Sequence, residues 1–407
     1  MKKIIRNIFI IATILVLTIG FTPSYTSLSI DNLAYVIALG IDVGENKKFK
    51  ITFQFTTGIP NPETGSTEKG PSIVNSVEAN SIDSAINLMD AYMARELNLS
   101  HCRLFIFSEE VAANGISNEI YTLANDTEIR PSANVIVCKN TAKDYISSSE
   151  PILENLITKY YEIFPNSSKY TGYIYNVSLG DFFNQLISDT SEPFAILGGV
   201  NDNSTVSSIS SKSSDVSDIK ATNDSISAQR GSENLGTAVF KGDKLVGELT
   251  ALETMCLSII RGKVDSFLIT IKDPKNEQET IDLMLSAQKN PKIKVDIVNN
   301  TPYVSIDLKF TGRIYSMKEN LRYLDSSILD SLTETASNYM KNILTQYLYK
   351  TSVDFKSDIN GIGKYCLQNF LTIQEFEAFD WNNNYTNSAF KVSVDAQIES
   401  GFLVTET

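Results

Sequence analysis

The amino-acid sequence predicts a multidomain α+β protein, in which mixed and antiparallel sheets pack against segregated helices and a long C-terminal helix packs on a meander sheet. Helical and strand-like patterns alternate in the first half, and the second half combines strand-like runs with one long amphipathic helix. A chain of 407 residues with 42% hydrophobic residues can bury two or three ordinary cores. We divide it into a signal or membrane-anchor segment (1–27), one or more N-terminal α+β domains (28–200), a Ser-rich linker or loop (201–232) and a C-terminal α+β domain (233–407).

The N-terminus has the pattern of an export signal. Lys2, Lys3 and Arg6 form a basic start, and residues 8–21 form an almost unbroken apolar run. This run is short for a membrane-spanning helix, which needs about 20 apolar residues. We expect it to be cleaved or to remain as a short anchor, so that the rest of the chain lies on the extracytoplasmic face of a membrane.

The N-terminal part begins with a predicted hairpin of two apolar strands, at 33–41 and 49–55. Residues 56–71 are rich in Gly and Pro and lack an apolar period, which predicts an exposed loop. A helical period begins after Ser81, which is placed to cap the helix. Farther along, strands are predicted at 103–107 and 134–137, and helices at 109–115, up to residue 124, at 141–147 and at 151–163.

The composition changes sharply in residues 201–230. About a third of these residues are Ser, most of the others are Asp, Asn, Thr and Lys, and aromatic residues are absent. Such a segment cannot bury enough apolar surface to offset the entropy lost on ordering. We therefore predict a mobile loop or linker at a domain boundary.

The C-terminal part begins with a predicted hairpin around the turn at 241–244. A helix over 251–260 ends near Gly262, and apolar residues at helical spacing from 328 to 348 predict the longest helix, with one buried face. Strands are predicted at 266–271, 292–298 and 303–310 as an antiparallel meander, in which residues 299–302, beginning with Asn299-Asn300, turn the last pair. A short helix is predicted after Gly363, and a final strand at 389–398 joins the sheet.

The charge balance argues against a nucleic-acid partner. The chain has 48 acidic and 35 basic residues and a formal net charge of −13. Affinity for a phosphate backbone comes from clustered Lys and Arg that release counterions.

The only histidine, His101, lies between a predicted helix and a predicted strand. One histidine allows no His-rich metal cluster and at most one Ser-His-Asp set. Its neighbour Cys102 could suggest a thiolate pair, but adjacent side chains of an extended segment point to opposite faces. We expect a structural hydrogen-bonding role for His101 and no catalytic role.

Other chemical patterns have simpler structural interpretations. Glu109 and Glu110 open a predicted helix, where carboxylates meet the helix dipole favourably; the alternative is a glycosidase-like pair. Gly361 and Gly363 lack the third glycine and the preceding strand of a phosphate-binding loop, which favours a turn. Trp381, the only tryptophan, is expected to serve packing, with a peptide or sugar platform as the alternative.

The four cysteines are spread along the chain without a CxxC pair. This spacing fits neither a zinc knuckle nor a thioredoxin-type redox motif. We expect small buried hydrophobic side chains, and one disulfide is left open for an exported protein. No catalytic, metal-binding or cofactor-binding residue is predicted. The cysteines are Cys102, Cys138, Cys256 and Cys366.

Four segments resemble, in the right order, the signatures of the Ger(x)C family, the C subunits of bacterial spore germinant receptors. They are residues 30–42, 100–115, 238–247, and 358–363 together with Trp381. The resemblance implies a lipoprotein on the outer surface of the inner spore membrane. It also implies action with A- and B-type membrane subunits in response to nutrient germinants, and a multidomain α+β fold without known catalytic residues.

The chain departs from the family at the lipid-attachment position. By the family spacing, Ser24 stands where a lipobox Cys is usual and Tyr25 where Trp is usual. Serine has no thiol, so no thioether-linked lipid is expected at Ser24. We expect the uncleaved apolar segment to tether the chain instead.

The leading functional hypothesis is therefore a non-enzymatic, membrane-tethered receptor subunit that acts through contacts with its partner subunits; whether it binds the germinant directly is left open. The alternative is an extracytoplasmic solute-binding protein, which needs a hinged cleft between two similar lobes. An envelope hydrolase is least supported, because no nucleophile, base and orienting group can be named together.

Overall fold

The structure is a computed structural model that describes residues 4–7, 13, 32–56, 72–150, 153, 154, 156–200, 231–276, 278–316 and 326–399. The apolar run at 8–21, Ser24, the loop at 56–71 and the Ser-rich linker lie almost entirely outside these residues, so what we expect of them stays a prediction. Within the described residues, no helix combines the length and apolar character needed to cross a membrane.

The larger of two sheets is built from nine strands. Their order is β3-β2-β1-β5-β6-β7-β8-β9, and the short β4 pairs with β1. The central strands β1, β5, β6 and β7 are parallel to their neighbours in this group, whereas β3, β2 and β1 on one side and β7, β8 and β9 on the other pair antiparallel. The strands are β1 (Leu33–Val43), β2 (Phe49–Thr56), β3 (Ser72–Ala79), β4 (Glu96–Asn98), β5 (Leu104–Ser108), β6 (Asn134–Cys138), β7 (Phe194–Val200), β8 (Ser232–Lys241) and β9 (Lys244–Leu249).

Seven helices of the described residues accompany this sheet. Polar residues start several of them, as side-chain caps of Ser81, Ser108, Thr141 and Ser178 show. The helices are α1 (Ile82–Met93), α2 (Glu109–Asn114), α3 (Ser117–Asn125), α4 (Ala142–Ser148), α5 (Ile157–Ile163), α6 (Ser168–Thr171) and α7 (Leu179–Leu186).

Strand β5 shows that the sheet is buried on both faces. Phe105 and Phe107 pack in one core, together with apolar residues of α1, α2, α3 and α7. Leu104 and Ile106 pack in the opposite core with α4 and α5. A strand that is buried on both faces has a continuous apolar sequence, which explains the run Leu-Phe-Ile-Phe.

The second sheet has five strands in the order β10-β11-β13-β12, and β14 runs parallel to β13. The turn between β12 and β13 places Asn299 and Asn300 in the left-handed region, with φ of 50° and 64°. Asparagine tolerates this region, and the two-residue turn fits a hairpin. The strands are β10 (Ser266–Lys272), β11 (Thr280–Ala287), β12 (Lys292–Val298), β13 (Thr301–Ser316) and β14 (Ala389–Glu399).

Two helices connect the sheets. Helix α8 (Ala251–Ile260) is apolar on nearly all sides and buried, and it contacts both β8 and the long helix α9 (Ser326–Tyr349). Helix α9 packs on β14, so one continuous apolar core extends from the first sheet to the second. Three short helices follow α9: α10 (Gly363–Cys366), α11 (Ile373–Phe379) and α12 (Trp381–Asn384).

The predicted α+β class is confirmed, with mixed and antiparallel sheets and a long helix on the second sheet. The sequence patterns did not predict strands β3, β4, β7 and β11 or the helices α6, α7, α11 and α12. The predicted division at 201–232 does not separate the sheets, because β8 and β9 complete the first sheet by pairing with β7. As a division into domains it stays a prediction.

Candidate functional site

His101 and Cys102, which could suggest a thiolate pair, have side chains in different environments. The ring of His101 is exposed and stacks edge-on against Tyr35, with 4.9 Å between ring centroids. The pKa of His101 is lowered by partial burial and by the positive charges of Arg130 and Arg103. Cys102 is buried, its Sγ lies 3.4 Å from the carbonyl of Leu104, and burial raises its pKa to about 12. We expected a hydrogen bond at His101, and the structure shows an aromatic contact.

The remaining candidates for chemistry are the Glu109–Glu110 pair and the four cysteines. Glu109 and Glu110 lie exposed in the first turn of α2, where they complement the helix dipole. All four cysteines are free thiols and buried, so no disulfide forms between them. In the described part of the chain, no three His, Cys, Asp or Glu side chains are grouped to hold a metal ion.

The conspicuous polar cluster lies at Asp358, in the predicted turn before Gly363. The Asp358 side chain is completely buried, and its Oδ2 accepts hydrogen bonds from Gly363 N at 2.9 Å and Trp381 Nε1 at 2.8 Å. Among the described residues, none donates a hydrogen bond to the other oxygen, Oδ1. Burial raises the pKa of Asp358, and the two hydrogen bonds and Arg261 oppose that rise.

The two glycines of this turn have steric roles. Gly361 has φ of +68°, which glycine adopts without strain. A Cβ on Gly363 would lie 2.6 Å from the Trp381 indole and 2.6 Å from the Thr190 carbonyl oxygen. The turn interpretation therefore accounts for both glycines, and Trp381 packs against the backbone of Gly363.

This turn is bonded directly to the first sheet. Glu192 N donates to the Asp358 carbonyl at 3.0 Å, and Ser357 Oγ donates to the Phe240 carbonyl at 2.6 Å. The buried Glu192 carboxylate accepts from Gly242 N at 2.7 Å and pairs with Lys241 Nζ at 2.8 Å. The β8–β9 turn is thereby fixed against the start of β7.

The same ammonium group reaches the C-terminal helices, since Lys241 Nζ also donates to the Asn382 carbonyl at 2.8 Å. Tyr347 OH of α9 donates to Asn360 Oδ1 at 2.8 Å, and Asn360 Nδ2 donates to Tyr385 OH at 3.3 Å. These bonds run from the long helix through the turn to the residues after α12. We give the name junction to this set of residues, which are buried except for the half-buried Lys241: Glu192, Lys241, Asp358, Asn360, Gly363 and Trp381.

The β8–β9 turn also contacts the end of α2. The Asp243 carbonyl accepts from Ile116 N at 3.1 Å, and its carboxylate accepts from Ser117 N at 3.4 Å. Gly115 has φ of +102° and lies so close that a Cβ there would be 2.7 Å from the Asp243 carboxylate. The segments 100–115, 238–247 and 358–363 therefore meet around one hairpin.

The remaining signature, 30–42, ends at the start of a different helix, α4. Asp42, at the end of 30–42, accepts from Ala142 N at 2.7 Å and Lys143 N at 3.0 Å at the start of α4. Burial raises the pKa of Asp42, and these two bonds oppose that rise. The four sequence signatures are thus residues that fix strands and helices to one another.

The junction is suited to joining structural elements. Apart from Asp358 Oδ1, its polar groups are hydrogen-bonded to one another or to groups next to them. Such a network specifies a single arrangement of the first sheet and the C-terminal helices. Asp358, Asn360, Gly363 and Trp381 all belong to one of the four sequence signatures, whereas Glu192 belongs to none. Glu192 sits in no recognisable motif, and its role depends on a contact with a turn 50 residues later.

Comparison with known proteins gives two family matches that together cover most of the chain. Residues 27–197 match the family described as spore germination protein N-terminal domain, and residues 235–401 match spore germination B3/GerAC like, C-terminal.

One curated relative and one solved structure extend these matches. Spore germination protein YndF of Bacillus subtilis (strain 168) is 24% identical over 165 residues, which are 40% of this chain and 40% of that protein. The match therefore spans less than half of the relative. The crystal structure of the GerBC protein is similar in fold, with a TM-score of 0.53 and 16% identity over 88% of this chain and 96% of that one.

Proposed function

Because the chain belongs to the Ger(x)C (GerAC-like) family of spore germination proteins, we propose that it is a non-enzymatic subunit of a spore nutrient germinant receptor. The observation that carries the proposal is the pair of family matches, which occur in order and together span most of the chain. Three of the sequence signatures meet at the β8–β9 hairpin. This supports the proposal, because it gives the signatures of the family a shared structural role.

The proposed mode of action is contact with partner proteins. The junction fixes the first sheet to the C-terminal helices through buried hydrogen bonds and the Glu192–Lys241 ion pair. A rigid body of two joined sheets presents its outer surfaces in a constant relative position, which favours docking. The partners in this proposal are the A- and B-type membrane subunits of the receptor.

The proposed location is the extracytoplasmic face of the spore inner membrane. The basic start and the apolar run at 8–21 support export and tethering. Ser24 cannot form a thioether, so in this proposal the uncleaved apolar run holds the chain at the membrane.

The alternative of a solute-binding protein with two similar lobes has less support. The two parts of this chain carry unlike sheets, one of nine mixed strands and one of five. Two-lobed binding proteins close over a ligand between lobes of like construction.

Deletion of the gene in sporulating cells tests the proposal. We expect loss of the response to particular nutrients with unchanged vegetative growth, and restoration by the wild-type chain. The matched variant Ser24→Ala should restore the response equally well, because Ser24 carries no lipid. A chain without residues 1–27 should not restore it. Normal germination of the deletion strain with every nutrient tested would contradict the proposed role.

A further inference from the structure

A cleft of about 390 Å³ lies beside the junction, where the end of α8 faces α7 and the segment that precedes it. Phe194 and Tyr175 are among its lining residues, and Arg261, the residue that ends α8, lies against both rings. The volume is at the small end of the range for ligand pockets, about 300–1,000 Å³.

The charge of this cleft is opposite to that of the whole chain. Lys169, Arg261 and Lys263 line it together with a single carboxylate, Asp181. Asp181 is already engaged, since its Oδ2 accepts from Ser178 N at 3.2 Å and from Ser178 Oγ at 2.7 Å. Three cations beside one occupied carboxylate, in a protein of net charge −13, favour an anionic ligand.

Arg261 is held in a defined position. Its Nε donates to the Ile359 carbonyl at 2.8 Å, and its guanidinium carbon lies 4.7 Å from the Phe194 ring centroid and 5.8 Å from that of Tyr175. In the part of the chain that the structure describes, no carboxylate pairs with Arg261. The charge of Arg261 opposes the rise in the pKa of the buried Asp358, but the two groups form no salt bridge. A guanidinium that is stacked on aromatic rings and makes no direct ion pair keeps donors for a planar carboxylate.

Two buried polar atoms in the lining lack a partner among the described residues, Ser258 Oγ and Gln185 Oε1. Ser258 is only 1% exposed. Buried polar atoms are normally hydrogen-bonded, so these two are exceptions that need an explanation. The serine hydroxyl can donate to an anion, whereas the glutamine oxygen can only accept and therefore requires a donor on the ligand.

We propose that this cleft binds a small carboxylate with a hydroxyl group on the adjacent carbon, that is, an α-hydroxy acid. Arg261 and Ser258 bind the carboxylate, and Gln185 Oε1 accepts from the adjacent donor. Lys169 and Lys263, both exposed, attract the anion from solution. The proposal is independent of the receptor role, since membership of the family assigns no ligand to this cleft.

Calorimetric titration of the full chain in detergent tests this site with three small acids: propionate, L-lactate and L-alanine. We expect L-lactate to bind about tenfold more tightly than propionate, because its hydroxyl group supplies a donor to Gln185 that propionate lacks. L-lactate should also bind more tightly than L-alanine, whose zwitterion has no net charge for the three cations to attract. Gln185→Leu should abolish the preference for L-lactate over propionate while leaving propionate binding in place.

Charge variants identify the site. Arg261→Gln should weaken binding at least about tenfold, and the control Lys391→Gln, the same charge change at an exposed position on β14, should leave it unchanged. If Arg261→Gln lowers the melting temperature, the double variant Lys169→Gln and Lys263→Gln tests the site instead. We expect it to bind the acid with several-fold lower affinity. Three results would each overturn the proposal. They are equal affinity for the three acids and inorganic phosphate, equal affinity of the cleft variants and of Lys391→Gln for the acids, and no binding of any of the three acids.

Discussion

The indole N–H of Trp381 donates a hydrogen bond of 2.8 Å to Oδ2 of Asp358, and both side chains are buried. The bond joins the turn after the long helix α9 to the short helix α12. Asp358 in turn accepts a backbone hydrogen bond at its carbonyl from Glu192, next to the first sheet. These two bonds therefore connect the first sheet, the turn after α9 and helix α12 through three positions that are distant in sequence.

Trp381→Phe should destabilise the chain, because it removes the donor to a buried carboxylate and part of a buried ring. We expect a loss of about 2–4 kcal/mol in the free energy of unfolding, measured by urea titration. The control Tyr92→Phe changes an aromatic residue that is 75% exposed and should shift the free energy by less than about 0.5 kcal/mol. Equal effects of the two substitutions would contradict a role of the Trp381 hydrogen bond.

Asp358→Asn should change the pH dependence of stability. In the unfolded chain Asp358 has its ordinary pKa, about 3.9, and burial raises its pKa in the folded chain. The stability due to the protonated form is therefore fully present below the unfolded pKa and is lost as pH rises through the folded pKa. Relative to wild type, Asp358→Asn should gain stability above about pH 4, by at most about 1.4 kcal/mol per pH unit. Unfolding free energies of both proteins from pH 4 to 8 measure this, and a constant difference would count against a raised pKa.

Gly363→Ala should be more destabilising than an alanine substitution at an open glycine. A Cβ at Gly363 would lie 2.6 Å from Trp381 and from the Thr190 carbonyl, whereas a Cβ at Gly242 meets no atom within 4 Å. We expect a loss of about 3 kcal/mol or more at Gly363 and about 1–2 kcal/mol at Gly242, where φ of +59° disfavours alanine. Urea unfolding of both variants measures the difference, and a smaller loss at Gly363 would show that the turn can move away.

Lys241→Met should leave the buried Glu192 carboxylate without its cation. The expected loss is about 1–3 kcal/mol, because Gly242 N still donates to Glu192. Lys294→Met breaks the exposed pair with Asp296 and should cost less than about 0.5 kcal/mol. Thermal unfolding distinguishes the two variants. Indistinguishable melting temperatures would contradict the importance of the Glu192–Lys241 pair in the junction.

Local sequence signals predicted much of the fold correctly. The cap at Ser81, the Asn299-Asn300 turn and the period of α9 each depend on residues close in the chain. Strand β3 was missed because, at the sheet edge, its side chains are largely half-buried and mixed in polarity. The apolar strand β7 contains Gly198 and Gly199, which weaken any strand pattern. Such strands are fixed by pairing with distant partners, which one sequence does not show.

The candidate site was predictable only in part. Asp358, Asn360 and Trp381 were grouped in one signature, but the hydrogen bond between Asp358 and Trp381 depends on how 22 intervening residues fold. Glu192 gave no signal, since a buried Glu is recognisable only when its cation and its backbone donors are known. The contacts of the junction form only when distant parts of the chain are assembled.

Affinity purification of the tagged full chain from detergent-solubilised spore membranes tests the proposed function most directly. The account predicts that A- and B-type receptor subunits co-purify with it from the membrane fraction, and that a chain lacking residues 1–27 loses them. Recovery of the full chain from the soluble fraction, without these subunits, would contradict the account.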